Sequence, residues 1–200
     1  DLVRLARESG RARELCGVDI LFGGNLPIGA GLSSSASICV ATAFALDQLW
    51  GLGLNTLERV NCALSAERGF VGVQCGIMDP YAVGLARPGM LLWLDCKDAS
   101  WEHVAFPFER YAIGIVDSGV RRELARGEFN LRVSQSRAAF EGLHPYVPRA
   151  TCLRDIPLSI LDAHEEELDA VARRRARHVL SEVDRTLRAR VALHAGRMHD

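Results

Sequence analysis

Apolar positions recur at two periods along this chain, and the switches between them outline its elements. Leu2 to Leu15 has helical spacing with charge on one face, predicting an amphipathic helix. Val18-Asp19-Ile20-Leu21-Phe22 reads as a strand, closed by the turn signal Gly23-Gly24-Asn25. Ile38 to Trp50 is apolar on nearly every side, which predicts a buried helix ended by Gly51-Leu52-Gly53. Asn55-x-x-Glu58 has the spacing of a capping box, and Leu57, Val60, Leu64 and Glu67 then share one helical stripe. After a loop from Gly69 to Gly76, Asp79-Pro80 reads as an N-cap followed by proline at the first helical position. Met90 to Asp95, Trp101 to Phe106 and Tyr111 to Val116 predict three strands. Val120 to Leu143 is helical in pattern, broken by Gly142, Pro145 and Pro148. Residues 159–196 predict mostly helix, with a weak break near Ser181. No repeat or low-complexity segment is present, and the irregular alternation of strands and helices predicts an α+β fold.

Composition narrows the class. At 200 residues, with 48% hydrophobic and 24% charged side chains, the chain can build a core, so disorder and fibrous architectures are excluded. The net charge of -1 supplies no bulk field for nucleic acid or an anionic membrane, so any polyanion must be held at a local site. No apolar run approaches the roughly 18–20 residues of a membrane span, and no signal peptide opens the sequence. Six cysteines at 16, 39, 62, 75, 96 and 152 form no Cys-x-x-Cys pair, which predicts reduced, buried thiols in a cytoplasmic protein. Arginine supplies 23 of the 24 basic residues, which reads as coding bias. The opening on Asp1 in helix-like sequence and the ending at Asp200 predict an internal piece of a longer protein.

Three positions carry candidate chemistry. The segment 27–37, Pro-Ile-Gly-Ala-Gly-Leu-Ser-Ser-Ser-Ala-Ser, is a glycine-rich turn feeding a helix, where free backbone N–H groups and the helix dipole meet. Gly29 and Gly31 let the backbone approach an anion, and Ser33, Ser34 and Ser35 add hydroxyls at the helix start; the plain alternative is a serine cap. Glu67 lies on the apolar stripe, where a carboxylate must be paired or bound to a metal, unless the helix has ended and it emerges into solvent. Mg²⁺ takes one or two carboxylates plus substrate phosphates and waters, so the loop and Glu67 suggest one nucleotide–magnesium site. Asp79 follows a tight, weakly polar loop and can present a carboxylate to a pocket, or it is only a cap. Arg121 and Arg122 beside Asp117 read as an exposed charged turn, and Arg173 to Arg177 with Glu165 to Glu167 as a salt-bridged surface. The histidines lack ligand spacing, and no Gly-x-Ser-x-Gly elbow is present.

The segment Pro27 to Ser37 resembles the phosphate-binding motif of the GHMP kinases. Ala66-Glu67, Phe70-Val71-Gly72 and Cys75-Gly76-Ile77-Met78-Asp79 resemble the galactokinase branch of that family. The likeness continues through Leu91 to Cys96, Asp117 to Arg121, Gly127-Glu128-Phe129 and Arg177-His178-Val179. The resemblance implies a two-domain fold with a ribosomal protein S5 domain 2-like N-terminal part and a ferredoxin-like C-terminal part, incomplete in this chain. Residues 1–108 would be the later portion of the first domain and 109–200 the beginning of the second. It further implies an ATP-dependent kinase that forms galactose 1-phosphate. Alternatives are a relative acting on a galactosamine derivative or arabinose, or a weakly catalytic sugar sensor. Pro27, Ile28, Gly29, Ala30, Gly31, Leu32, Ser33, Ser34 and Ser35 would cradle ATP, Ser35 and Glu67 would hold Mg²⁺, Asp79 would face the attacking hydroxyl, and the Gly76 backbone would touch the sugar. Pro80 stands where the family usually has glutamine, and Phe129 where it usually has a sugar-binding tyrosine. The expected partner is a small sugar, with no nucleic acid or membrane, and the expected state is a monomer.

Overall fold

The computed structural model describes residues 2–8, 10, 15–73, 75–119 and 126–198, with side chains from 130 onward in the last stretch. They form two compact units, residues 1–124 and 125–200.

In the first unit, α1 (Leu2–Glu8) covers Ala6 against Leu52, Leu54 and Trp50. The rest of the helix expected to run to Leu15 lies largely outside the described residues. Helix α2 (Ser34–Trp50) starts four residues before the expected Ile38. Its main neighbours are α3 (Thr56–Ala66) and α4 (Met78–Leu85), and Ala36, Ala43 and Asp47 are buried while Ile38, Phe44 and Leu49 stay exposed. The expectation of an all-round buried helix is therefore corrected: apolar residues outnumber the neighbours available to cover them. Helix α3 opens on the expected capping box. The Asn55 side chain accepts from Glu58 N at 3.0 Å, and Asn55 N donates to Glu58 Oε2 at 2.8 Å.

Asp47 staples α2 to α3. Its carboxylate, 1% exposed, accepts from Leu54 N at 2.9 Å and from Arg59 Nε at 2.7 Å. Strands β1 (Met90–Leu94) and β2 (Trp101–Ala105) pair antiparallel, with Leu92 opposite His103. Leu92, Leu94 and Trp101 cover the core of Val60, Tyr81 and Leu85 between α3 and α4. The His103 ring nitrogen meets Leu85 O at 2.7 Å and ties the hairpin to the end of α4.

Two expected strands do not form among the described residues. Residues 18–22 and 111–116 carry no ladder, and Leu21 is 97% exposed. Apolar alternation marks a segment as able to pair but cannot supply the partner. The thiol expectation is corrected in part: none of the six cysteines is in a disulfide, but only Cys62 is buried, and Cys16 and Cys96 are exposed.

In the second unit, α5 (Arg126–Leu143), α6 (Leu158–His164) and α7 (Ala170–His194) enclose Ala139, Leu143, Leu153, Ile156, Leu161, Leu168, Ala172, Ala176 and Leu180. Gly142 does not break α5. It is a notch, since a Cβ there would lie 2.4 Å from Leu168 Cδ2, and the chain turns only at the 3₁₀ turn His144–Tyr146. Nor does α7 break near Ser181, whose hydroxyl donates to His178 O at 3.0 Å within an unbroken helix. Among the described residues no helix is long and apolar enough to cross a membrane.

Candidate active site

The loop before α2 has an alternating backbone. Gly29, Gly31 and Ser33 adopt φ of 75°, 76° and 57°, while the residues between them do not enter the positive region. Alternation of hand along successive residues turns their N–H groups toward one side and makes an anion-binding concavity. Ser33 tolerates the left-handed region at a cost of roughly 1–2 kcal/mol, a strain characteristic of functional loops. It occupies the N-cap position but makes no side-chain cap hydrogen bond; only its carbonyl is used, accepting from Ser37 N at 2.9 Å. The serines are thus not explained by capping. The first turn of α2 carries no acidic side chain, so the positive end of its dipole is uncompensated by its own sequence.

Glu67 ends α3 and begins a π-helical turn, Glu67–Val71. It stays inward, 8% exposed, and its carboxylate has no ion-pair partner among the described residues. Its charge is felt at two thiols. Burial first, and the Glu67 charge second, push the Cys39 and Cys75 thiols up; the Cys75 thiol raises Cys39 further, while Arg68 pulls Cys75 back down. The Glu67 charge is thus felt at Cys39 on α2, and Ser35 lies one turn earlier on the same helical face. A buried carboxylate with no ion-pair partner among the described residues fits a hard divalent cation, whose remaining ligands would be phosphate oxygens and water. Among the described residues no group of three or more His, Cys, Asp or Glu side chains gathers at a metal-ligand geometry.

Asp79 is not the N-cap. Ile77 holds that position, its carbonyl accepting from Tyr81 N at 3.1 Å, so Asp79 and Pro80 are the second and third residues of α4. Proline is accepted there because the first N–H groups of a helix have no intrahelical acceptor. Asp79 is half-buried at the positive end of the helix. Gly84 seats that helix: a Cβ would fall 2.2 Å from Val60 Cγ2 on α3. Between Glu67 and Asp79 the chain is closed by Arg68, whose Nε and Nη2 both donate to Cys75 O, at 3.0 and 2.8 Å. Neither Arg68 nor Cys39 stands out in the sequence, although Cys39 follows Ser35 by one helical turn.

Other candidates separate from this site. Asp117 Oδ1 accepts from Gly119 N at 2.8 Å in a local turn, while Arg121, Arg122 and the Phe129 side chain lie outside the described residues. Arg173 pairs with Glu166 at 3.2 Å, and Arg177 with Asp162 at 3.0 Å and with Glu165.

A glycine-rich loop of alternating hand at a helix start suits phosphate handling, and residues 2–87 match the GHMP kinases, through the family model described as GHMP kinases N terminal domain. Within that family the chain is similar to galactokinases. It is 40% identical to the galactokinase of Roseiflexus sp. (strain RS-1) over 182 residues, covering 91% of this chain and 46% of that protein. It is 38% identical to the galactokinase of Thermotoga maritima over 179 residues, 90% of this chain and 49% of the relative. The crystal structure of Lactococcus lactis galactokinase complexed with galactose superposes with a TM-score of 0.76 at 26% identity, over 98% of this chain and 50% of that one. The chain spans about half the length of these relatives.

Proposed function

We propose that the full-length protein is a galactokinase: it transfers the γ-phosphate of ATP to the 1-hydroxyl of galactose, giving galactose 1-phosphate and ADP. The observation that carries this reading is the alternating loop at Gly29, Gly31 and Ser33, set at the start of α2. Phosphoryl transfer depends mostly on positioning and charge stabilisation, which the chain's groups can divide among them. Backbone N–H groups of residues 28–35, with Pro27 shaping the start of the loop, hold the phosphates against the helix dipole. Glu67 and Ser35 are the residues that would hold Mg²⁺, which when bound neutralises charge on the phosphate oxygens. The Gly76 backbone contacts the sugar, and Asp79 orients the attacking hydroxyl and accepts or stabilises its proton at the carboxylate.

ATP consumption by the full-length protein, measured with galactose, galactosamine, N-acetylgalactosamine and arabinose, tests the reading. Turnover is expected to be highest with galactose. Preference for another sugar would reassign the substrate, a possibility raised by Phe129 in place of a phenolic donor; no turnover with any sugar would overturn the kinase reading.

A further inference from the structure

We propose that Arg68 is a positioning residue for the sugar-contacting peptide, acting through the carbonyl of Cys75. The proposal rests on the sugar-kinase reading above and extends it to a residue outside the resemblance. Helix α3 ends in the π-helical turn, where Gly72 N donates to Glu67 O and Val73 N donates to the same carbonyl at 3.2 Å. Gly72 then enters the left-handed region at φ 77°, and the chain doubles back toward α4. From the second position of the turn, Arg68 spans seven residues and places two guanidinium donors on one oxygen, at 3.0 and 2.8 Å. That oxygen belongs to the same planar unit as the Gly76 N–H. In a trans peptide the two bonds point in opposite directions, so pinning the Cys75 carbonyl fixes where the Gly76 N–H aims.

The consequence is electronic as well as geometric. A cation hydrogen-bonded to a carbonyl polarises the peptide and strengthens its N–H as a donor. Gly76 has no Cβ, and a Cβ built there would meet nothing within 4 Å, so its own surroundings do not lock this peptide by packing. Ile77, the next residue, already caps α4. Arg68 therefore supplies a restraint that the loop's own sequence lacks, and it acts on sugar binding more than on nucleotide binding.

The test uses the full-length protein and its Arg68→Met and Arg68→Lys variants. Losing a charge-assisted hydrogen bond is expected to raise KM for galactose about tenfold in Arg68→Met, and about threefold in Arg68→Lys, which keeps one donor. KM for ATP and the thermal midpoint stay close to the parent's. A galactose KM unchanged in a folded Arg68→Met, or equal losses for ATP and sugar, would overturn the proposal. The amide resonance of Gly76 separates this from failure of the kinase reading. If the parent phosphorylates no sugar, the function is wrong, and a Gly76 amide shift unmoved by Arg68→Met overturns the positioning role as well.

Discussion

Single side chains set the chemistry at this site through what surrounds them. Asp79 has no capping duty to occupy it, so Asp79→Asn should lower kcat on the order of 10²–10⁴-fold while the KM for ATP changes only a few-fold. A folded variant retaining a tenth of the parent's rate would return Asp79 to a structural role. Glu67→Gln keeps the shape and removes the charge, so half-saturation by Mg²⁺ should move to higher concentration with little change in thermal midpoint. A superimposable magnesium titration would remove Glu67 from the metal site. Asp47 offers a pH test away from the chemistry. Burial pushes its carboxyl up, but the hydrogen bonds from Leu54 N and Arg59, with the Arg59 charge, outweigh burial and hold it below the usual carboxylate range. A carboxyl depressed by folding stabilises the protein above its unfolded pKa of about 3.9 and loses that contribution as pH falls through the folded value. The thermal midpoint of the parent should therefore exceed that of Asp47→Asn at pH 7, with the gap closing below about pH 4.

At the scale of elements, the approach of α4 to α3 decides where Asp79 stands. Alanine in a helix is favoured over glycine by about 1 kcal/mol. At Gly84 the added Cβ would meet Val60 Cγ2 at 2.2 Å, so overpacking costing about 1–3 kcal/mol reverses the sign. Gly84→Ala should lower both stability and kcat, and Val60→Ala should partly rescue it. Denaturation of the two single variants and the double variant checks this: additive losses would mean that the notch does not set the helix spacing. The π-helical turn has a similar role, since it redirects the chain after Glu67 and leaves Arg68 facing Cys75.

At the scale of the whole molecule, the two described segments without a ladder both expose apolar side chains: Ile20, Leu21 and Phe22 in one, and Ile113, Ile115 and Val116 in the other. Extended apolar backbone with unpaired donors and acceptors recruits other strands. The 200-residue chain by itself should therefore self-associate, with light scattering rising with concentration and a dye for apolar surface binding strongly. A monodisperse monomer with no dye binding would refute this.

Local patterns were legible wherever one short stretch of residues contained the whole cause. The capping box at Asn55 and Glu58 and the glycine-serine loop each depend on neighbours a few positions apart, so the sequence alone determined them. The resemblance to the GHMP kinases was legible for the same reason, because its motifs are contiguous. Other features depend on groups far apart in the chain, and only the tertiary structure decided them. Glu67 is buried at the end of α3, where a π-helical turn carries the chain on, and the choice between burial and emergence into solvent was open in the sequence. Residues 18–22 and 111–116 have strand-like pattern but no strand, because a strand is a property of a pair. Asp79 moved inside α4 because the helix begins where the carbonyl of Ile77 finds Tyr81 N, a bond that the Asp-Pro signal does not encode.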